Sequence, residues 1–318
     1  MRTLVSRATA AEQAARRYLA CLRLPEILVL QGSPLLGAAF ALHGPAEKAV
    51  GPLALLTLAN VCLMAHIFLL NDWSGLAADL ADPHKAAGVF TARGVDRRDI
   101  GGLAVLFLAL SLLFFARLGL VTLGLAGAIA VLSTLYSLPW FDWKGRPLLS
   151  SAAHLIGGVL HFLLGYSLGG RLDGRGLVIA VFFALIFAAG HLNQEVRDHQ
   201  GDARSAIRTN AVAFGRRRTF VASLILFTLS YAVLFLLALQ GTLPRPLAAL
   251  VVLYPFHLRW SLTALAEGLT PTSLRRLQAR YRVLFALIGL AMVVALYGQR
   301  VHPIGRQAVE VLFLARVC

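Results

Sequence analysis

Residues 176–202 read GLVIAVFFALIFAAGHLNQEVRDHQGD, an apolar run that ends in a cluster of acidic residues. The apolar part, 176–193, is about as long as the roughly 20 residues that a helix needs to cross a bilayer. Three carboxylates follow it closely, at Glu195, Asp198 and Asp202. The stretch therefore predicts a membrane-spanning helix that brings acidic groups to one surface of the membrane.

The same apolar pattern recurs along the chain and sets its class. Of the 318 residues, 58% are hydrophobic and 14% are charged, and the mean hydropathy is +0.73. Soluble domains have about 25% charged residues, and disordered chains are poor in apolar ones. The composition therefore excludes both classes and indicates a polytopic membrane protein.

Nine apolar segments are long enough to span a membrane. They lie near residues 26–43, 50–70, 100–116, 119–138, 149–170, 176–193, 219–240, 246–265 and 282–299. We therefore expect an all-α integral membrane protein, a nine-transmembrane-helix bundle that forms a single domain over residues 1–318. Residues 1–25 would be a cytoplasmic basic arm, and residues 303–318 a short tail that is either an interfacial helix or frayed.

The basic residues predict how the bundle lies in the membrane. The chain has 30 Lys and Arg residues against 15 Asp and Glu residues, a formal net charge of +15. With the N-terminus in the cytoplasm, most Lys and Arg residues fall on the cytoplasmic side, as is typical of membrane proteins. We therefore expect a multi-pass protein with a cytoplasmic N-terminus, an outside C-terminus and no nucleic-acid partner.

Two acidic clusters follow apolar segments on the same predicted side. Residues 71–79, NDWSGLAAD, end the second segment, and residues 193–202 end the sixth. If the sixth helix continues, Glu195, Asp198 and Asp202 share one face, because they lie at positions i, i+3 and i+7. The simpler alternative is that these are solvated loop charges that cap helix ends. Two such clusters on one side weaken that alternative, since acidic residues at a membrane are often functional.

The neighbours of these clusters indicate what the carboxylates would bind. Mg²⁺ prefers oxygen ligands and is often shared between carboxylates and a substrate phosphate. Lys85 follows the first cluster, and Arg204 and Arg208 follow the second. Carboxylates, Mg²⁺ and basic side chains together are typical of a diphosphate site. The sequence therefore predicts a cytoplasmic-side, Asp-rich active site.

These motifs resemble those of the UbiA-type family of intramembrane prenyltransferases. That family has nine helices, a first motif NDxxDxxxD and a second motif DxxxD or DxxDxxxD. Asp198 and Asp202 match the second motif, with Glu195 in the place of its leading Asp. The downstream residues 201–215, GDARSAIRTNAVAFG, and the segment from Tyr136 to Lys144 are also similar to family patterns.

The first motif departs from the family pattern at one position. Asn71, Asp72 and Asp79 match, but Gly75 takes the place of the middle Asp. Three explanations stay open: Asp72 or Asp79 takes over the ligand role, the site holds one metal ion instead of two, or ordinary transferase activity has been lost. We expect the first, because the second motif is intact.

The resemblance implies Mg²⁺-dependent transfer of an isoprenoid from a prenyl diphosphate donor to an acceptor within the lipid bilayer. The acceptor is not identified, and an aromatic ring is one candidate. Two alternatives are a membrane terpene cyclase that uses the same site, and a non-catalytic protein that binds or transports prenyl diphosphates.

The resemblance also implies roles for individual residues. Tyr136 would hydrogen-bond the diphosphate or shield an allylic cation with its ring face, with an interfacial belt aromatic as the alternative. Catalytic roles fall to Asp198, Asp202, Lys144 and Tyr136, and diphosphate contacts to Arg208, Lys85 and Lys144. The implied magnesium ligands are Asn71, Asp72, Asp79, Glu195, Asp198 and Asp202.

Overall fold

The architecture is taken from a computed structural model that describes residues 12–42 apart from residue 14, residues 46–82 and residues 85–301. These residues contain nine helical segments that are long and apolar enough to cross a membrane, and they contain no β-strand. The prediction of an all-α, nine-transmembrane-helix bundle is therefore confirmed. Spans 1 to 9 are Leu24–Ala41, Glu47–Ala81, Arg97–Leu118, Leu120–Ser137, Leu149–Gly169, Gly174–Arg204, Arg216–Leu239, Arg245–Ala266 and Pro271–Gly298. The predicted tail at 303–318 and residues 1–11 of the predicted arm lie outside the described residues.

Spans 2 and 6 extend well beyond their predicted apolar segments. The helix that contains span 2 runs over Ala46–Ala81, and that of span 6 over Gly174–Arg204. Hydropathy marks only the part of a helix that lies in lipid, so it does not detect these polar ends. Both acidic motifs therefore lie on helices and not in loops.

The two helical extensions pack directly against each other. A Cβ atom on Gly201 would lie 2.4 Å from a carboxylate oxygen of Asp82, so the glycine leaves room for this side chain to approach closely. Ser205 Oγ also donates a hydrogen bond to the carbonyl oxygen of Ala78 at 3.2 Å. These contacts bring the ends of the two motif helices together.

Span 1 is broken into two helices, Leu24–Val29 and Gly32–Ala41. At the break, the backbone N–H of Gln31 donates to the carbonyl oxygen of Leu28, three residues earlier, at 3.2 Å. The chain therefore makes a tighter turn than an α-helix does. The second of these helices, Gly32–Ala41, packs backbone to backbone on span 5, where a Cβ on Gly165 would lie 1.7 Å from the carbonyl oxygen of Pro34. Small residues at such crossings are typical of membrane bundles.

The starts of spans 8 and 9 differ from the predicted segments, span 8 in helix type and span 9 in position. Span 8 opens as a 3₁₀-helix over Arg245–Leu253 and continues as the α-helix Tyr254–Ala266. The helix of span 9 runs over Pro271–Val301, so it starts before the predicted residue 282. Its first turns carry Arg275 and Arg276, which lower the local hydropathy and hide the start of the helix.

Candidate active site

A cavity of about 1190 Å³ runs from the acidic motifs into the bundle. Its walls come mainly from spans 1, 2, 4, 5, 6 and 9. The predicted residues that line it are Asn71, Asp72, Asp79, Lys85, Tyr136, Lys144, Glu195, Asp198 and Asp202. Many of the other lining residues are apolar, among them Phe182, Phe183, Phe285, Leu290 and Met292. The cavity therefore combines an acidic end with an apolar interior.

Lys85 links the two motifs across the acidic end. Its Nζ lies 3.7 Å from Oδ1 of Asp79 and 3.8 Å from Oδ2 of Asp198. These are ion pairs that are too long for good hydrogen bonds. The ammonium group therefore contacts one carboxylate of each motif without binding either tightly.

Two arginines that the sequence analysis did not assign also pair with the motif carboxylates. Arg23, at the start of span 1, forms an ion pair with Asp72. Arg197 donates to both oxygens of Asp198, from Nε at 2.9 Å and from a terminal nitrogen at 3.2 Å. Such bidentate pairs are among the stronger ionic hydrogen bonds. Arg197 lies within the second motif itself, so its position next to Asp198 was the signal available in the sequence.

Glu195 is buried, with 5% of its surface exposed, and both of its oxygens accept hydrogen bonds. Oε1 accepts from Ser150 Oγ at 3.0 Å. Oε2 accepts from the backbone N–H of Asn210 at 3.0 Å and from its side-chain Nδ2 at 2.9 Å. His191 Nε2 lies 3.0 Å from Oε1. The carboxylate thus ties span 5 and the segment after span 6 to the motif helix.

The remaining predicted residues occupy different surroundings. Asp202 is buried and accepts a hydrogen bond from Thr209 Oγ1 at 3.4 Å. Lys144 is half-buried beside the cavity. Arg208 is exposed and is not among the residues that line the cavity. Its predicted contact with a diphosphate stays a prediction.

Three aromatic rings form one wall of the cavity. The rings of His154 and His191 stack with centroids 3.5 Å apart and planes 7° apart. Tyr136 meets His154 edge to face at 4.9 Å. All three rings line the cavity next to Glu195, so Tyr136 lies inside the bundle at the acidic end.

The oxygen-rich acidic end fits a magnesium ion that is completed by a substrate. Among the described residues, no three His, Cys, Asp or Glu side chains lie close enough to form a ready-made metal site. Mg²⁺ is usually held by one or two carboxylates together with water and substrate phosphates. Facing carboxylates on two helices meet that requirement. At Gly75, an added Cβ would lie 3.7 Å from Oδ2 of Asp79, an ordinary contact, so the missing motif carboxylate leaves open space.

The fold and the site together define a polytopic helical membrane protein with an acidic cavity. The chain matches the UbiA prenyltransferase family over residues 32–277, more than half of its length. The chain therefore belongs to this family. No curated protein sequence matches it significantly.

Several solved structures are similar in fold. A UbiA homologue from Archaeoglobus fulgidus bound to DMAPP and Mg²⁺ is 18% identical with a TM-score of 0.70, covering 89% of this chain and 98% of that one. The same homologue bound to GPP and Mg²⁺ has a TM-score of 0.68 at the same identity and coverage. A digeranylgeranylglyceryl phosphate synthase is 14% identical with a TM-score of 0.64, covering 90% of this chain and 99% of that one.

Proposed function

We propose that the protein binds a prenyl diphosphate with Mg²⁺ at the acidic end of its cavity and transfers the isoprenoid to an acceptor. The observation that carries this proposal is the meeting of the two motifs. Carboxylates from spans 2 and 6 line one cavity, Lys85 lies between them, and apolar walls continue from there. The Mg²⁺ complexes of the Archaeoglobus homologue with DMAPP and GPP support the same assignment.

The positions of the side chains support the proposed ligand roles. Asn71, Asp72 and Asp79 would hold metal from span 2, and Asp198 and Asp202 from span 6. When bound, Mg²⁺ supplies positive charge to the diphosphate oxygens. Lys85 and Lys144 line the same end of the cavity and would contact the diphosphate directly.

The chemical step breaks the bond between the allylic carbon and the diphosphate oxygen. Negative charge grows on that oxygen as the bond breaks, and fixed cations beside it lower the barrier. Lys85 and Lys144, which both line the cavity, would supply this positive charge. The ring of Tyr136 would face the positive allylic carbon. That carbon would then bond to the nucleophilic atom of the acceptor, which would lose its proton to the released diphosphate.

The orientation of the bundle is also part of the proposal. The bias of Lys and Arg favours a cytoplasmic N-terminus and a cytoplasmic acidic end. A water-soluble diphosphate would then enter from the cytoplasm while its chain enters the apolar interior. We likewise propose that residues 1–318 form one domain.

The test uses the full chain in lipid nanodiscs with radiolabelled prenyl diphosphates of increasing length. We expect binding that requires Mg²⁺ and that weakens at least about tenfold in Asp198→Asn, since even residues behind metal ligands cost 10–100-fold. Asp96→Asn is the matched control, because Asp96 is exposed at the start of span 3, outside the cavity. Equal binding by both variants would refute the proposed site.

Release of diphosphate separates the competing functions. Release that depends on an added acceptor supports prenyl transfer. Release without any acceptor, accompanied by a cyclic product, would identify a cyclase. Binding with no release under either condition would identify a non-catalytic prenyl-diphosphate-binding protein.

A further inference from the structure

A chain of three polar side chains crosses the apolar interior of the bundle, away from the acidic motifs. Gln31 lies at the break in span 1, Asn60 in span 2 and His161 in span 5. Their exposed fractions are 5%, 0% and 5%. Polar side chains inside a membrane are costly and often functional. This group of three hydrogen-bonded side chains therefore requires an explanation beyond helix packing.

In the hydrogen bonds that join Gln31, Asn60 and His161, only one assignment of donors and acceptors is possible. Gln31 Nε2 donates to the main-chain carbonyl oxygen of Ile27 at 2.9 Å, and a carbonyl can only accept. The other amide atom of Gln31, Oε1, therefore accepts from Asn60 Nδ2 at 2.9 Å. Asn60 Oδ1 is then left to face His161 Nε2 at 3.0 Å. Because Oδ1 accepts, His161 Nε2 must carry the proton.

This direction determines the chemistry of the second ring nitrogen of His161. Among the described residues no carboxylate contacts the ring, so the ring is neutral, since an unpaired buried charge is very costly. A neutral imidazole with a protonated Nε2 has a free lone pair on Nδ1. Within the described part of the chain, no hydrogen bond reaches Nδ1, and the ring lines the cavity. The protein thus holds a hydrogen-bond acceptor in the cavity wall.

This hydrogen-bond acceptor, Nδ1 of His161, lies deep in the bundle. His161 is seven residues beyond His154 on span 5, about 10 Å along a helix at 1.5 Å per residue. His154 packs at the acidic end, against Tyr136. A molecule that reacts at the acidic end and reaches His161 must therefore extend about 10 Å into the apolar part of the cavity.

We propose that His161 Nδ1 binds a hydroxyl group at the membrane-buried end of the isoprenoid acceptor. The acceptor would be an apolar molecule whose reactive atom lies at the acidic end and whose hydroxyl lies deeper. Assigning this hydroxyl to the acceptor rests on the proposed prenyl transfer. The hydrogen bond selects for a hydroxyl over a methyl ether, because the ether has no hydrogen to donate.

The test compares two tritiated probes, 4-octylphenol and 4-octylanisole, in which a methyl group replaces that hydrogen. Equilibrium binding is measured to the full chain in nanodiscs, with empty nanodiscs subtracted. We expect the wild type to bind the phenol about fivefold more tightly than the ether, as one neutral hydrogen bond implies. His161→Phe should remove this preference. His161→Gln, which can donate to Asn60 and still offer a carbonyl oxygen, should retain it.

The matched control is His257→Phe, which also removes a buried membrane histidine. His257 is 0% exposed, packs among aromatic rings and is not among the cavity-lining residues. Its variant should keep the preference for the phenol.

The outcomes separate this inference from the proposed function. Prenyl diphosphate binding with no preference for the phenol in the wild type overturns the role of His161 and leaves prenyl transfer standing. A preference lost equally in both Phe variants also overturns that role. A phenol preference in a protein that binds no prenyl diphosphate overturns prenyl transfer and the assignment of the hydroxyl to an acceptor.

Discussion

Replacing Glu195 tests whether this residue is a magnesium ligand or a support for the site. Its carboxylate accepts hydrogen bonds from Ser150 Oγ, the Asn210 amide and Asn210 Nδ2. Asn210 Nδ2 also lies 3.0 Å from the hydroxyls of Ser150 and Ser151, so it keeps partners when the carboxylate is removed. Glu195→Ala therefore leaves two buried donors without an acceptor, the Ser150 hydroxyl and the backbone N–H of Asn210.

The size of the effect follows from those two donors. A buried donor without an acceptor costs about 1–3 kcal/mol, so Glu195→Ala should lower the free energy of unfolding by about 2–6 kcal/mol. Glu195→Gln keeps one acceptor oxygen and should lose about half as much. The control is Glu267→Ala, since the exposed ion pair between Glu267 and Arg276 should contribute about 1 kcal/mol or less.

The assay is unfolding in mixed detergent micelles, followed by the far-ultraviolet circular dichroism of the helices. The Mg²⁺ concentration for half-maximal prenyl diphosphate binding is measured on the same samples. We expect Glu195→Gln to lower stability with little change in that Mg²⁺ concentration. An unchanged stability with a tenfold higher Mg²⁺ requirement would refute the supporting role and make Glu195 a ligand.

Three further predictions address the motif gap, the packing and a helix cap. Gly75→Asp should fold, because its Cβ meets only Asp79 at 3.7 Å, and a Mg²⁺ titration of prenyl diphosphate binding should show a severalfold lower midpoint. Gly165→Ala should lower the free energy of unfolding by about 3 kcal/mol or more, because its Cβ would lie 1.7 Å from the carbonyl oxygen of Pro34. Asp173→Ala should lower it by about 1 kcal/mol, since Asp173 caps span 6 through a 2.8 Å bond from a backbone amide.

The packing and helix-cap predictions each have a comparison variant. Gly51→Ala should be harmless, because no atom lies within 4 Å of its Cβ position. The hydrogen bond from the Gly176 amide, followed by that from the Tyr166 hydroxyl, lowers the pKa of Asp173. The stabilisation from its charge is therefore present above the ordinary aspartate pKa of about 3.9 and is lost as the pH falls through the lower folded pKa. Asp173→Asn should remove that pH dependence of stability. The Gly75→Asp prediction fails if the midpoint of the Mg²⁺ titration does not move.

The number of spans was predictable from sequence because lipid imposes a simple requirement. A helix that crosses a bilayer needs a long apolar run, and hydropathy measures that run directly. The same measure carries no information on whether a helix is continuous. It therefore missed the break at Gln31 and the polar ends that carry both motifs on spans 2 and 6.

The candidate site was predictable as a set of residues but not as a set of contacts. The spacing of Asp198 and Asp202 indicated a shared helix face, and both residues line the cavity. The pairing of Arg23 with Asp72 joins positions 49 residues apart, and no local pattern specifies it. The hydrogen bonds from Gln31 to His161 likewise depend on three spans meeting in the fold.

The ion pairs at the acidic end differ in how easily a ligand can replace them. Asp198 is held by Arg197 through two short hydrogen bonds, whereas Lys85 lies 3.7 Å and 3.8 Å from its two carboxylates. Breaking the long contacts costs least, because partly exposed pairs at such distances contribute about 1 kcal/mol or less. In the proposed mechanism, Lys85 would therefore be the cation that leaves Asp79 and Asp198 when a diphosphate and its metal bind. The same ammonium group would then neutralise the diphosphate, while Arg197 would keep Asp198 in place through its two hydrogen bonds.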